Sequence, residues 1–184
     1  MQHRPSRAGF TSTASRACTA MAVAALVFTT GPATAGRLRA TQVHADGSAS
    51  SATGVVRHGP NGGAAARGRV RTSDGQGNAS TVSGAALRGP NGGTAQRAGT
   101  TSVAADGSAS HQSGLSASGT QGSLTSSGSA TRDAAGNIAQ NRATTATSNS
   151  TGNGVQSSTS YNSGTGLSHS ATCYDASGAT ITCR

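Results

Sequence analysis

The chain has 184 residues, a formal net charge of +9 and a 33% hydrophobic share made mostly of Ala; aromatic residues are 2% and Trp is absent. Burying one Val or Leu contributes about 1.5–3 kcal/mol, whereas ordering one residue's backbone costs about 1–2 kcal/mol, so the sparse aliphatic residues exclude a conventional packed core. Two states remain: disorder, or a repetitive sheet held by backbone hydrogen bonds and small side chains.

The amino terminus has the layout of a secretory leader. Arg4, Arg7 and Arg16 precede an apolar run from Ala20 to Phe28, Gly31-Pro32 breaks it, and Ala33-Thr34-Ala35 supplies a small-x-small cleavage site. The run is too short to cross a bilayer, which takes about 20 residues. Residues 1–35 are therefore expected to be a signal peptide, and the mature chain to be exported: periplasmic, on the cell surface or secreted. Cleavage removes Cys18 and leaves Cys173 and Cys183, an even pair that suits an oxidising compartment.

Past residue 35 the chain is punctuated by turns. Gly59-Pro60-Asn61-Gly62-Gly63 returns thirty positions later as Gly89-Pro90-Asn91-Gly92-Gly93, with Arg67 and Arg97 at the same offset. Ala45-Asp46-Gly47-Ser48-Ala49-Ser50 returns as Ala105-Asp106-Gly107-Ser108-Ala109-Ser110. Further signals stand at Asp74-Gly75, Gln121-Gly122, Gly136, Gly152, Gly164 and Gly178. Regularly spaced turns indicate a repeat architecture. Asn-Gly and Asp-Gly are strong hairpin signals because both central residues of a type I′ turn take positive φ. The intervals are Ser, Thr, Ala and Gln with about one aliphatic residue each, which disfavours helix and suits strands of about eight to eleven residues.

The expected fold is all-β: a repetitive antiparallel meander of short hairpins, with a β-solenoid as the alternative. Residues 36–94 read as an irregular, Arg-rich Gly/Ala repeat region, so the amino-terminal third is expected to be partly disordered. Residues 95–184 read as a Ser/Thr-rich hairpin region, where the sheet is expected to be best formed. At the carboxyl end a hairpin centred on Gly178 would set Cys173 opposite Cys183 and allow a cross-strand disulfide.

No catalytic pattern emerges. There is no Gly-x-Ser-x-Gly elbow, and a phosphate loop is excluded because every basic side chain is Arg. The histidines past residue 35 (His44, His58, His111, His169) lack metal-ligand spacing, and the Asp residues sit at turns, where they bond their own backbone. The expectation is a protein that is not an enzyme and that needs no cofactor or metal. Past residue 35, eleven Arg stand against five Asp. That excess favours polyanions, and Arg67, Arg69, Arg71, Arg88 and Arg97 are the candidate contacts. Charge that keeps a neutral Ser/Thr surface soluble and its sheet edges unpaired explains the same residues without a ligand.

From Gly89 onward the chain resembles exported Ser/Thr/Gly-rich hairpin-repeat proteins of GC-rich Gram-negative bacteria. The resemblance is carried by Ala105-Asp106-Gly107-Ser108, Arg132-Asp133-Ala134-Ala135-Gly136-Asn137, Tyr161-Asn162-Ser163-Gly164-Thr165-Gly166-Leu167 and Cys173-Tyr174-Asp175-Ala176-Ser177-Gly178. It implies export and repetition, and no activity. Two functional expectations follow. The first is a structural or surface-interaction protein that meets an envelope or matrix component and self-associates through sheet edges. The second is a binder of lipopolysaccharide, extracellular DNA or acidic polysaccharide.

Overall fold

The computed structural model describes residues 35–59 and 61–183; the expected signal peptide lies outside this range apart from Ala35. Eleven strands follow one another: β1 (Ala35–Val43), β2 (Ala49–His58), β3 (Ala64–Ser73), β4 (Ala79–Arg88), β5 (Thr94–Val103), β6 (Ala109–Ser118), β7 (Gly122–Arg132), β8 (Ile138–Ser148), β9 (Gly154–Asn162), β10 (Gly166–Tyr174) and β11 (Thr180–Ile181). They form one sheet in sequence order, each antiparallel to the next. This is the expected meander. Each strand contacts only the strands beside it.

The reversals fall where the turn signals stand, but their geometry differs from the type I′ expectation. Most loops have five residues, and a Gly at the fourth position carries the positive φ. In 44–48 the His44 N–H donates to Ser48 O at 2.9 Å, the Gly47 N–H donates to His44 O at 3.1 Å, and Gly47 has φ of 83°. The Gly-Pro-Asn-Gly-Gly copies close the same way: Gly59 N–H to Gly63 O and Gly89 N–H to Gly93 O, both at 2.7 Å, with Gly62 and Gly92 at φ of 78° and 82°. Such a loop is a turn followed by a single left-handed Gly, a conformation that costs Gly nothing sterically. Asp supplies the other half of the loop chemistry. Asp46 and Asp106 accept from the N–H two residues on, and Asp133 and Asp175 accept from the N–H four residues on.

The loop length explains the thirty-residue repeat. The closing pairs Val43↔Ala49, His58↔Ala64, Ser73↔Ala79, Arg88↔Thr94 and Val103↔Ala109 each lie 15 residues beyond the one before. Side chains alternate faces with period two, so a 15-residue step reverses both strand direction and face. Thirty residues restore both. Two positions thirty apart therefore occupy the same height on the same face, two strands away.

Among the described residues no large side chain is fully buried, and only Ala64, Ala66 and Ser126 are buried. Stability must come from the backbone ladder and from cross-strand pairs, each worth roughly 0.2–1 kcal/mol. Hydroxyl pairs recur: Thr72 with Ser80 at 2.8 Å, Thr94 with Ser118 at 3.0 Å, Ser158 with Ser170 at 2.8 Å. The loops are tied along both sheet margins. Ala105 N–H donates to Asn78 Oδ1 at 3.0 Å, and Asn149 donates through its backbone N–H to Gln121 O at 3.0 Å and through Nδ2 to Gly119 O at 2.9 Å.

Two expectations are corrected. The Arg-rich stretch 36–94 is not irregular: β1 to β4 lie within it in continuous register. Small residues and Arg suffice there because the loops, not apolar burial, set the pairing. The final hairpin is centred on Ser177 rather than Gly178, since Gly178 is the fourth residue of the loop 175–179, with φ of 85°. Cys173 therefore faces Ile181, not Cys183. The disulfide still forms, diagonally, between Cys173 and Cys183 with Cα atoms 5.3 Å apart.

Candidate binding face

The register assigns each strand side chain to a face. Arg37 pairs with Val55, Val55 with Arg67, Arg67 with Ala85, Ala85 with Arg97 and Arg97 with Leu115. Directly paired residues share a face, so Arg37, Arg67 and Arg97 form one row, separated by Val55 and Ala85. The next row on that face runs Arg39, Thr53, Arg69, Ser83, Gly99. Arg57 and Arg71 flank these rows, and Arg132 and Arg142 lie on the same face further along the sheet. Nine of the ten Arg in the described residues thus point one way, and all are exposed.

Within a row, Arg residues on alternate strands stand about 9.5 Å apart, twice the interstrand spacing; the rows themselves are about 7 Å apart. Arg37, Arg67, Arg69, Arg97 and Arg142 line an open groove of about 730 Å³. Thr53, Val55, Ser83, His111, Leu115 and Ser126 also line it.

No acid balances this charge. All five Asp lie in loops, and no ion pair joins Arg to Asp among the described residues. Arg142 donates from Nη1 to Ser126 Oγ at 3.0 Å, and Ser126 in turn pairs with Thr144 at 2.9 Å. Arg132 donates from Nε and Nη2 to Gly107 O at 3.2 and 2.7 Å, which ties the loop 104–108 to β7. Arg37, Arg39, Arg57, Arg67, Arg69, Arg71 and Arg97 have no hydrogen-bond or ion-pair partner among the described residues. Their guanidinium groups project planar, bidentate donors into solvent.

Four of the five candidate contacts, Arg67, Arg69, Arg71 and Arg97, share this face. Arg88 does not: it pairs with Ala64 and Thr94 on the opposite face. The physical reason is the loop. A two-residue turn on Asp74-Gly75 would set Arg67 opposite Val82 and put Arg88 on Arg67's face. The five-residue loop 74–78 sets Arg67 opposite Ala85 and puts Arg88 behind. Arg37, Arg39 and Arg57 belong to the face and were not among the candidates. The i, i+2 spacing of Arg37 with Arg39, and of Arg67, Arg69 and Arg71, was the available signal.

His111 and His169 are on the Arg face as well. Each engages a cross-strand Thr through Nδ1: Thr101 at 2.8 Å and Thr159 at 2.9 Å. The Asp carboxyls sit below their usual pKa because loop donors favour the charged form. The largest contribution is the Ser48 hydroxyl for Asp46, the Asn78 amide for Asp74, the Ser108 hydroxyl for Asp106, the Asn137 amide for Asp133 and the Ser177 hydroxyl for Asp175. Among the described residues no three His, Cys, Asp or Glu side chains gather in a way that could hold a metal ion. Compared with family models, with curated proteins and with solved structures, the chain matches none.

Proposed function

We propose that the chain is an exported, non-enzymatic binding protein whose Arg face holds a polyanionic component of a cell envelope or extracellular matrix. The observation that carries this reading is the set of seven Arg side chains, without partners among the described residues, on one face of a single-layer sheet. Arg residues in adjacent rows spring from backbone positions about 7 Å apart, inside the Debye length of about 8 Å at physiological salt, so their charges are only partly screened. They repel one another unless an anion lies between them. A polyanion relieves that repulsion and releases its own counterions on binding. Export is supported by the leader-like amino terminus and by the Cys173–Cys183 disulfide.

The test is retention on immobilised heparin as a function of salt. The native chain binds at about 0.15 M salt and elutes as ionic strength rises. Replacing Arg67, Arg69 and Arg97 together by Ser lowers affinity by about tenfold or more, while Arg88→Ser leaves it within about twofold because Arg88 is on the other face. Equal losses from the two variants, or no retention of the native chain at low salt, would overturn the reading.

A further inference from the structure

The thirty-residue repeat of the sequence becomes a ruler on the Arg face. Positions thirty apart return to one row two strands away, so the contacts in that row recur about every 9.5 Å. The row reads cation, aliphatic, cation, aliphatic, cation, aliphatic: Arg37, Val55, Arg67, Ala85, Arg97, Leu115. The row beside it reads cation, hydroxyl, cation, hydroxyl: Arg39, Thr53, Arg69, Ser83. We infer that this face takes a linear anionic glycan bearing one acid group on every second sugar, laid across the strands.

The chemistry fits in three ways. The interval between cations matches the advance of two pyranose units in an extended chain, so each acid group meets one guanidinium without bending the polymer. A carboxylate or sulfate presents two oxygens to the fork of an Arg, which binds them bidentately. Between the acids, a sugar offers a C–H face and hydroxyls. Val55, Ala85 and Leu115 offer apolar contact to the first, and Thr53 and Ser83 offer hydrogen bonds to the second. Nucleic acid suits the face less well. Along a duplex the phosphates of one strand advance only about 3.4 Å per nucleotide, and the free bases of a single strand call for aromatic platforms, of which this face has only Tyr161 in the described strands.

The inference rests on the polyanion reading, and the experiment separates the two. Four soluble ligands are titrated into the full chain with its disulfide formed. They are a polymer alternating one uronic acid with one neutral N-acetylhexosamine, a polyuronate with an acid on every sugar, the uncharged form of the first, and a single-stranded oligonucleotide of matched total charge. The alternating polymer is expected to bind at least tenfold more tightly than the polyuronate and the oligonucleotide, and the uncharged polymer not to bind. A charge-neutral rearrangement checks the spacing: Arg67→Ala combined with Ala85→Arg moves one guanidinium one strand along the same row and face. That variant keeps its affinity for the polyuronate and loses the tenfold preference. Affinities that simply rise with charge density, or a preference unmoved by the rearrangement, would overturn the inference while leaving the polyanion reading intact. The absence of binding to all four ligands would overturn both.

Discussion

Arg67 and Arg97 lie in one row on one face of the sheet, two strands apart, although thirty residues separate them in sequence. The relationship follows from a ten-residue strand plus a five-residue loop, repeated twice. It turns a sequence repeat into a spatial one and collects positive charge on a single face without a packed core.

The same arithmetic governs deletions. Removing residues 64–93 takes out β3, β4 and their two loops and joins β5 to the loop 59–63, with Thr94 taking the place of Ala64 opposite His58. The product should retain β-sheet circular dichroism and keep Arg97 on the face of Arg37. Removing only residues 64–78 shifts the remainder by an odd number: Arg97, Arg132 and Arg142 go to the opposite face and Arg88 alone joins the face of Arg37. Heparin affinity should fall by about tenfold more in the 15-residue deletion than in the 30-residue deletion, although the longer one loses more Arg.

Glycine substitutions separate loop geometry from strand packing. Gly92 has φ of 82° and nothing within 4 Å of a built Cβ, so Gly92→Ala meets backbone strain alone and should destabilise by about 1–2 kcal/mol. Gly114 lies inside β6 at ordinary φ, with only the Ser126 carbonyl at 4.0 Å from a built Cβ. Gly114→Ala should be neutral or stabilise by up to about 1 kcal/mol. Denaturant midpoints of the two variants check the contrast.

The disulfide acts locally because contacts reach only adjacent strands. Replacing Cys173 and Cys183 by Ser should cost the last hairpin about 2–3 kcal/mol. Amide hydrogen exchange should quicken across 166–183 and stay unchanged from β1 to β7, as expected of a quasi-one-dimensional array.

The loop carboxylates set the response to acid. Each Asp is held below its unfolded pKa by loop donors, the nearest Ser hydroxyl or Asn amide first. The folded state therefore binds protons less readily than the unfolded state. The contribution is complete above the unfolded value of about 3.9 and is lost as pH falls through the lower folded values. Thermal midpoints should fall on acidification below about pH 4, and Asp133→Asn should weaken that dependence. A midpoint that rises in acid would contradict it.

The turns were legible because Gly and Asp are placed where a loop needs positive φ or a carboxylate acceptor: Gly47, Gly62, Gly92, Gly107 and Gly178 all mark real reversals. The faces were not legible, because a face depends on loop length. Reading Asp74-Gly75 as a two-residue turn shifts every downstream partner and misplaces Arg88, and reading Gly178 as the hairpin centre moves the partner of Cys173 from Ile181 to Cys183. Order in β1 to β4 was missed for a related reason. Their stability rests on register rather than on apolar content, and register leaves no trace in composition.

The central claim is that one face, and not charge in general, engages the polyanion. Arginine Nε–Hε resonances, followed by NMR while a sulfated oligosaccharide is titrated, test it on the native chain. The signals of Arg37, Arg39, Arg57, Arg67, Arg69, Arg71 and Arg97 should move together and that of Arg88 should stay still. Shifts at Arg88 as large as those at the seven would contradict it.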